Sequence, residues 1–292
     1  MTSQKSKILR KLIAEKQLLV GVGAGDALGA KLIERVGFDF VWSSSLGVSA
    51  SYGLPDASLI SMKQYLEAAR SMNEVIDIPV IADCDTGYGN ANNVIYAVKL
   101  FEEAGIAGIS IEDKKFPKDN SLLAGGRQEL APLEEFVGKI MAAKDTQISK
   151  DFVVIARVEA LIAGWGEEEA LSRAHCYVEA GADCILIHSK SKAPDEIVGF
   201  VRSWDGQAPL VLVPTTYPQL TEEEIKDLGK VKIVIYANQP MRAGIKAQEL
   251  LLEEIKKAGG IHTIEAMMVP VSHVFELQGV PEMKDKEKKY IY

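Results

Sequence analysis

The feature that most narrows the fold is a repeated alternation. Eight short runs of valine, isoleucine, leucine and alanine recur along the chain, at 18–24, 38–44, 79–82, 107–111, 152–157, 184–188, 210–213 and 231–236. Runs that stay apolar at odd and even positions alike read as strands covered on both faces, the mark of a parallel sheet. Segments of helical spacing fall between them, at about 26–36, 61–72, 91–104, 132–144, 167–180, 195–203 and 222–228, with a last one at 241–257. Eight strands alternating with helices predict a (β/α)8 barrel. A doubly wound open sheet is the poorer choice, because no glycine-rich phosphate fingerprint follows any strand. Gly21-Val-Gly-Ala-Gly25 has the wrong spacing for one, and its small residues are expected to let the first strand and its helix pack closely.

Details at the ends of these units agree with the barrel. Glu103-Ala-Gly-Ile and Glu179-Ala-Gly-Ala place a glycine just after a helix and just before a strand, where a left-handed cap is needed. Residues 4–16 pattern as an amphipathic helix with Ile8, Leu9, Leu12 and Ile13 on one face, which suits a plug over the closed end of the barrel. No Pro/Gly/Ser linker interrupts the chain, so residues 1–292 read as a single barrel domain. Residues 261–292 exceed what a barrel needs. Met267, Val269, Val271, Val274 and Leu277 make that tail apolar before its charged end, Lys284-Asp-Lys-Glu-Lys-Lys, and an oligomerisation extension is the expected role.

Composition excludes some functions. With 33 basic against 41 acidic residues the formal charge is −8, which argues against a general nucleic-acid surface, so an anionic substrate would be met by local positive groups or a metal. The N-terminal residues lack the apolar core of a signal peptide, and no run reaches the ~18 apolar residues of a membrane span. A cytoplasmic protein is expected. Cys84, Cys176 and Cys184 are unspaced for zinc and read as buried free thiols.

Active sites in such barrels gather at the C-terminal strand ends, so the polar residues there form one set. They are Ser43, Ser44, Ser45 and Leu46; Asp83 and Asp85; Glu112 and Asp113; Arg157 and Glu159; His188 and Ser189; and Asn238. Asp83 and Asp85, two apart on extended chain, point the same way, and Glu112 on the adjacent strand can add a third carboxylate. Hard oxygen ligands without histidine or cysteine favour Mg²⁺; alternatively, the aspartates cap the turn that follows, Thr86-Gly-Tyr-Gly-Asn90. Arg157 on an apolar strand needs an anion, which could be a substrate or simply Glu159 or Glu112. His188 is open in the same way between a structural and a catalytic role. The loop from Lys114 to Gly126 is long for a βα connection, and its Lys118, Asn120, Ser121 and Arg127 suit the covering of an anionic substrate. A serine hydrolase built on Ser44 and His188 is the weaker reading, since no Gly-x-Ser-x-Gly elbow surrounds the serines.

Five segments together carry a resemblance: Trp42-Ser-Ser-Ser-Leu46, Asp83-Cys-Asp-Thr-Gly-Tyr-Gly-Asn90, Glu112-Asp-Lys-Lys-Phe-Pro-Lys-Asp-Asn-Ser-Leu122, Ala156-Arg-Val-Glu-Ala160 and Ile187-His-Ser-Lys190. The chain resembles the phosphoenolpyruvate mutase and phosphonopyruvate hydrolase branch of the isocitrate lyase superfamily. That resemblance implies a (β/α)8 barrel, Mg²⁺, an α-keto acid or enol substrate such as phosphoenolpyruvate or phosphonopyruvate, and a homotetramer made of dimers that exchange C-terminal helices. It implies that Asp85 binds Mg²⁺ directly, that Asp83 and Glu112 act through its waters, and that Asp56 stands nearby with a catalytic part. The backbone around Ser45 and Leu46, beside Trp42 and Ser44, would hold the pyruvyl oxygens. Arg157, His188 and Asn120 would hold the phosphoryl group, with Lys118, Asn120, Ser121 and Leu122 on a closing loop.

The superfamily's carbon–carbon lyases carry a cysteine in that loop. Here Lys114-Lys-Phe-Pro-Lys has none, which sets the lyase reading aside. Asn120 in Lys-x-Asn-Ser-Leu resembles the mutases, where the hydrolase has threonine; Val213-Pro-Thr-Thr-Tyr-Pro-Gln-Leu-Thr221 and Gly126-Arg-Gln-Glu-Leu130 resemble the hydrolase. The substrate-facing position outweighs outer segments, so a mutase is expected, with the hydrolase as alternative and a non-catalytic binding barrel as a distant one.

Overall fold

The computed structural model describes residues 4–290; the first three and last two positions of the expected 1–292 domain lie outside the described residues. Eight parallel strands close on themselves: β1 (Leu19–Ala24), β2 (Phe40–Ser43), β3 (Val80–Asp83), β4 (Gly108–Glu112), β5 (Val153–Val158), β6 (Cys184–Ile187), β7 (Leu210–Leu212) and β8 (Val231–Tyr236). Each pairs with its sequence neighbour, and β1 pairs with β8 through Leu19 opposite Ile233, so the sheet has no free edge. The predicted (β/α)8 barrel is thus the observed fold.

The helices are α1 (Gln4–Glu15), α2 (Ala27–Val36), α3 (Ser45–Ser51), α4 (Met62–Glu74), α5 (Ala91–Glu103), α6 (Leu133–Thr146), α7 (Ala160–Ala163), α8 (Gly166–Glu179), α9 (Asp195–Ser203), α10 (Glu222–Asp227), α11 (Gln239–Ala258), α12 (Val271–Leu277) and α13 (Val280–Tyr290). Two of them, α3 and α7, were not foreseen. Serine and glycine are poor helix formers and α7 spans a single turn, so neither segment shows helical periodicity; burial of Val48, Ala160, Leu161 and Ile162 holds them in place. The glycines after α5 and α8 do what their position requires, Gly105 at φ +81° and Gly181 at φ +102°.

Two cores divide the barrel. Inside it, Leu19, Phe40, Trp42, Ile81, Val153, Ile155, Leu186, Val211, Ile233 and Ile235 fill the lumen, and Leu9 of α1 joins them fully buried with Leu12 and Ile13 against it. The N-terminal helix is therefore the expected plug. Outside it, the outward strand residues meet the apolar faces of the surrounding helices in a larger cluster that includes Phe101, Phe136, Phe200 and Trp204. Each fully buried Leu, Phe or Val removes enough apolar surface to favour folding by about 1.5–3 kcal/mol, which is why both faces of every strand had to be apolar.

The β1 glycines serve this interior rather than the packing of β1 on its own helix. A Cβ on Gly23 would lie 1.9 Å from the carbonyl oxygen of Ala237, and one on Gly25 would lie 2.8 Å from that of Gly47. The expectation of close packing holds; the partners are the backbone beyond β8 and the start of α3, because β1 points these positions inward.

Contacts separate the chain into two compact units that part between Gln239 and Pro240. The second unit, taken by itself, contains most of α11, then α12 and α13, and none of these helices has a buried residue. Leu252, Ile261, Val269 and Val271 are each exposed by 60% or more. Among the described residues no helix is long and apolar enough to cross a membrane.

Candidate active site

The C-terminal strand ends open into one cavity. It is lined by Trp42, Ser44, Ser45 and Leu46 after β2, Asp56, Asp83 at the end of β3, Lys118, Asn120, Ser121 and Leu122 from the loop after β4, Arg157 of β5 and His188 after β6. Val213, Thr215, Ala237 and Asn238 complete it from the β7 and β8 side. All the residues expected to touch substrate therefore meet in one place. Asp85 and Glu112 stand one layer further in, 2% and 1% exposed, tied to the lining through Lys118 and Arg157.

The β2 side presents donors. Ser44 caps α3, its Oγ accepting from the Gly47 amide at 3.2 Å, and so the helix begins at Ser45 with its first amides facing away from any intrahelical partner. A helix start of this kind favours anions. Ser45 Oγ donates to Asp83 Oδ2 at 2.9 Å, which ties this edge to the acidic one. The use of Ser44 as a cap, and of His188 as a partner of Arg157 and Glu159, leaves no Ser44–His188 pair for acyl transfer.

The acidic edge holds Asp56, Asp83, Asp85 and Glu112 against Lys118 and Arg157. Lys118 Nζ lies 3.0 Å from Asp56 Oδ2 and 2.8 Å from Asp85 Oδ1. Arg157 lies 3.3 Å from Glu112 Oε2, its direct neighbour in the β4–β5 register. Burial drives the Asp85 carboxyl up to about 7, with the neighbouring carboxylates adding to the rise and Lys118 opposing it. Asp83 also rises through burial. For Asp56, burial acts upward too, but Lys118 and the Asn120 amide outweigh it and hold the carboxyl below its usual range.

These carboxylates fit a hard cation. Both oxygens of Asp85 and both of Glu112 are buried without a hydrogen-bond donor, although Lys118 is an ionic neighbour of Asp85 Oδ1, Arg157 of Glu112 Oε2 and Lys114, at 4.0 Å, of Glu112 Oε1. Buried lone pairs without donors are costly, and oxygen-only ligation matches Mg²⁺. Among the described residues no three Asp, Glu, His or Cys side chains converge closely enough to enclose an ion. The aspartates do not cap the turn Thr86–Asn90 as the alternative had it: Asp83 Oδ1 accepts from the Asp85 amide, ahead of that turn, at 3.3 Å, Asp85's own oxygens accept no hydrogen bond, and Asp85 sits at φ +50° rather than on the extended chain expected there.

The loop after β4 lies over the cavity. Asn120 Nδ2 donates to Asp56 Oδ2 at 2.7 Å, the oxygen that Lys118 also reaches, while Asn120 Oδ1 accepts from the Leu122 amide at 2.9 Å. Ser121 turns inward, its Oγ 2.5 Å from Glu159 Oε2. Arg127, expected to help cover an anion, instead faces outward and pairs with Asp119 at 3.7 Å. Its exposure lets water compete for that role.

Two residues emerge that sequence reasoning had not given a part. Lys114, 1% exposed, donates to Ser121 Oγ at 2.7 Å and lies 3.4 Å from Glu159. Its signal was a lysine directly after a buried strand, which must find an acidic partner. Thr215 lines the wall beyond β7, and no local pattern marks it. Asp113, by contrast, turns away from the cavity: it accepts from the Glu159 amide at 2.8 Å and from Tyr177 Oη at 2.7 Å, with Arg173 beside it at 3.2 Å. Burial raises its carboxyl to about 6, and the role is to brace β4 against β5 and α8.

Comparison with known proteins places this geometry. Residues 9–256 match the model of the family described as phosphoenolpyruvate phosphomutase. A phosphonopyruvate hydrolase from Variovorax sp. (strain Pal2) is 50% identical over 287 residues, 98% of this chain and 99% of that one. A phosphoenolpyruvate phosphomutase from Tetrahymena pyriformis is 45% identical over 290 residues, 99% of this chain and 96% of that one. A crystal structure of a phosphonopyruvate hydrolase in complex with oxalate and Mg²⁺ superposes with a TM-score of 0.94 at 49% identity and covers 100% of both chains.

Proposed function

The chain belongs to the phosphoenolpyruvate phosphomutase family, and from that premise we propose that it interconverts phosphoenolpyruvate and phosphonopyruvate. The observation that carries the reading is Asn120, whose side chain enters the cavity alongside Arg157 and His188 on a loop that covers it. In the phosphonopyruvate direction the P–O bond to the enol oxygen breaks, its electron pair stays on the enolate, carbon three attacks phosphorus, and the ketone forms with no net proton change. Such a transfer is loose, so the protein's work is positioning and charge stabilisation.

Arg157, His188 and Asn120 hold the phosphoryl oxygens, and the amides at the start of α3 hold the pyruvyl carboxylate and enolate oxygen. Asp85 would ligate Mg²⁺, with Asp83 and Glu112 acting through its waters, while Asp56 holds Lys118 and Asn120 in place. When bound, Mg²⁺ supplies Lewis-acid stabilisation of the enolate oxygens. Lys118, Asn120, Ser121 and Leu122 exclude water, which would otherwise take the phosphoryl group and divert the reaction to pyruvate and phosphate.

Phosphonopyruvate hydrolysis is the second reading, favoured by the 50% identity to the Variovorax hydrolase. Phosphorus NMR of the purified protein with phosphonopyruvate and Mg²⁺, beside a chelated control, separates the two. Growth of a phosphoenolpyruvate resonance is the expected result, and inorganic phosphate without it overturns the mutase reading. The tail over 261–292 serves as an oligomerisation extension in a homotetramer of helix-swapped dimers, supported by helices with no buried residue. The setting is a cytoplasmic route of phosphonate biosynthesis, with a small-molecule substrate and neither nucleic acid nor membrane as partner.

A further inference from the structure

Glu159 does not line the cavity itself, yet it is fully buried behind Arg157 and Ser121, which do, and its carboxyl is held well below the usual range by Arg157 and Lys114 against the pull of burial. A buried charge of this kind is costly unless its partners are arranged around it. Its Oε1 takes Arg157 Nε at 2.6 Å. The same guanidinium sends its Nη2 to His188 Nδ1 at 2.9 Å. A guanidinium can only donate, so His188 Nδ1 accepts, and the proton of the neutral ring must sit on Nε2. His188 Nε2 is buried and has no hydrogen-bond partner in the protein. The longer approach of His188 Nδ1 to Glu159 Oε1, 3.3 Å, would need the opposite tautomer, which would set a ring N–H against the donating Arg157 Nη2 at the shorter 2.9 Å.

The loop completes the same cluster. Ser121 Oγ has one proton and two lone pairs, and all are used: it donates to Glu159 Oε2 at 2.5 Å and accepts from Lys114 Nζ at 2.7 Å and Arg157 Nη2 at 2.9 Å. Glu159 and Glu112 each face Arg157 and Lys114, so removing one member leaves a buried partner short of its counter-charge.

We propose that Glu159, with Lys114 and Ser121, is a positioning unit that orients Arg157 so that His188 is fixed with its proton on Nε2, the free donor turned to the phosphoryl group. Loop closure and the arming of that donor are then one event, since Ser121 arrives with the loop and supplies the third contact to the Glu159–Arg157 pair. The unit explains why a lysine at 114 and a glutamate at 159 are buried where neither reaches the substrate. The target of that donor and the kinetic consequence rest on the phosphoryl-transfer reading; the tautomer does not.

The test is a long-range proton–nitrogen correlation spectrum of the full chain labelled with ¹⁵N-histidine, which has just four rings to resolve. His188 is identified by the signals missing from His188→Asn. The expected result at pH 7.5 is the Nε2–H pattern for His188 in the unaltered protein, and an Nδ1–H pattern overturns the proposal whatever the enzyme does. In Glu159→Gln, checked for native near-ultraviolet dichroism, the tautomer should become mixed. Its kcat should fall on the order of a hundredfold while KM for phosphonopyruvate changes less than about threefold, the split expected when a contact made mainly in the transition state is lost. An unchanged tautomer with unchanged kcat in that variant also overturns it. If the variant does not fold, the unaltered protein's spectrum decides. A protein inactive on both substrates would remove the proposed reaction while leaving the tautomer to be read independently.

Discussion

Replacing Asn120 by alanine separates catalysis from stability at one position. The side chain donates to Asp56 Oδ2 at 2.7 Å and accepts from the Leu122 amide at 2.9 Å. A hydrogen bond to a charged group contributes about 1.5–3 kcal/mol, but here two facts reduce the loss. Lys118 keeps the same carboxylate oxygen at 3.0 Å, and Leu122 lies at the surface, where water replaces the lost acceptor. The folding cost should therefore be about 1 kcal/mol, which for a chain of this size lowers Tm by about 2–4 °C. Loss of a preorganised donor to the moving phosphoryl group costs on the order of a hundredfold in kcat, equivalent to about 2.7 kcal/mol of transition-state stabilisation. Phosphorus NMR turnover measured beside scanning calorimetry reads both quantities on one preparation. If kcat stays within about twofold of the parent, Asn120 takes no part in the transfer. If activity and Tm collapse together by ten degrees or so, the residue holds the loop and the reasoning about a shared Asp56 oxygen is wrong.

Other consequences are simpler. Asp85→Ala should abolish Mg²⁺-dependent turnover and the stabilisation that added Mg²⁺ gives in a melting curve; a retained metal response would refute its ligand role. Solution scattering at micromolar concentration should give a mass well above the 31.8 kDa of one chain, whereas a monomer would leave the apolar tail helices without a purpose. Thiol titration of the native protein should find Cys176 alone accessible, because Cys84 and Cys184 are buried and burial pushes the Cys184 thiol up to about 12; all three should react in denaturant, and rapid native labelling of Cys184 would contradict that packing.

Much of this arrangement was legible in the chain. Strands covered on both faces cannot hide their pattern, so β3, β5 and β8 fell within a residue or so of their observed bounds, and the glycines at 105 and 181 announced their caps. The cavity residues and the layer behind them were legible for a related reason: Asp83, Glu112 and Arg157 are charges at the ends of apolar runs, and a charge that interrupts burial needs an explanation there. Helix α3 was not legible, because Ser44-Ser-Leu-Gly-Val-Ser carries no helical period and is held by its surroundings. The β1 glycines showed that something approached closely but not what; the carbonyl oxygen of Ala237 is more than two hundred residues away in sequence and reaches Gly23 only because β8 closes the barrel against β1.

By itself, then, the sequence determined the barrel, its plug, and the set of side chains that ring the mouth, since each follows from local periodicity or from one charge at one strand end. Tertiary structure alone decided how those charges pair. Asp113 and Glu112 are adjacent in sequence, yet one braces Tyr177 and Arg173 while the other faces Arg157. Lys118 and Asn120 converge on a single oxygen of Asp56, and Ser121 divides its one proton and two lone pairs among Glu159, Lys114 and Arg157. Such pairings depend on side-chain directions at the ends of different strands, and alternation along a strand fixes only the face of the sheet, not which neighbour across it will be met.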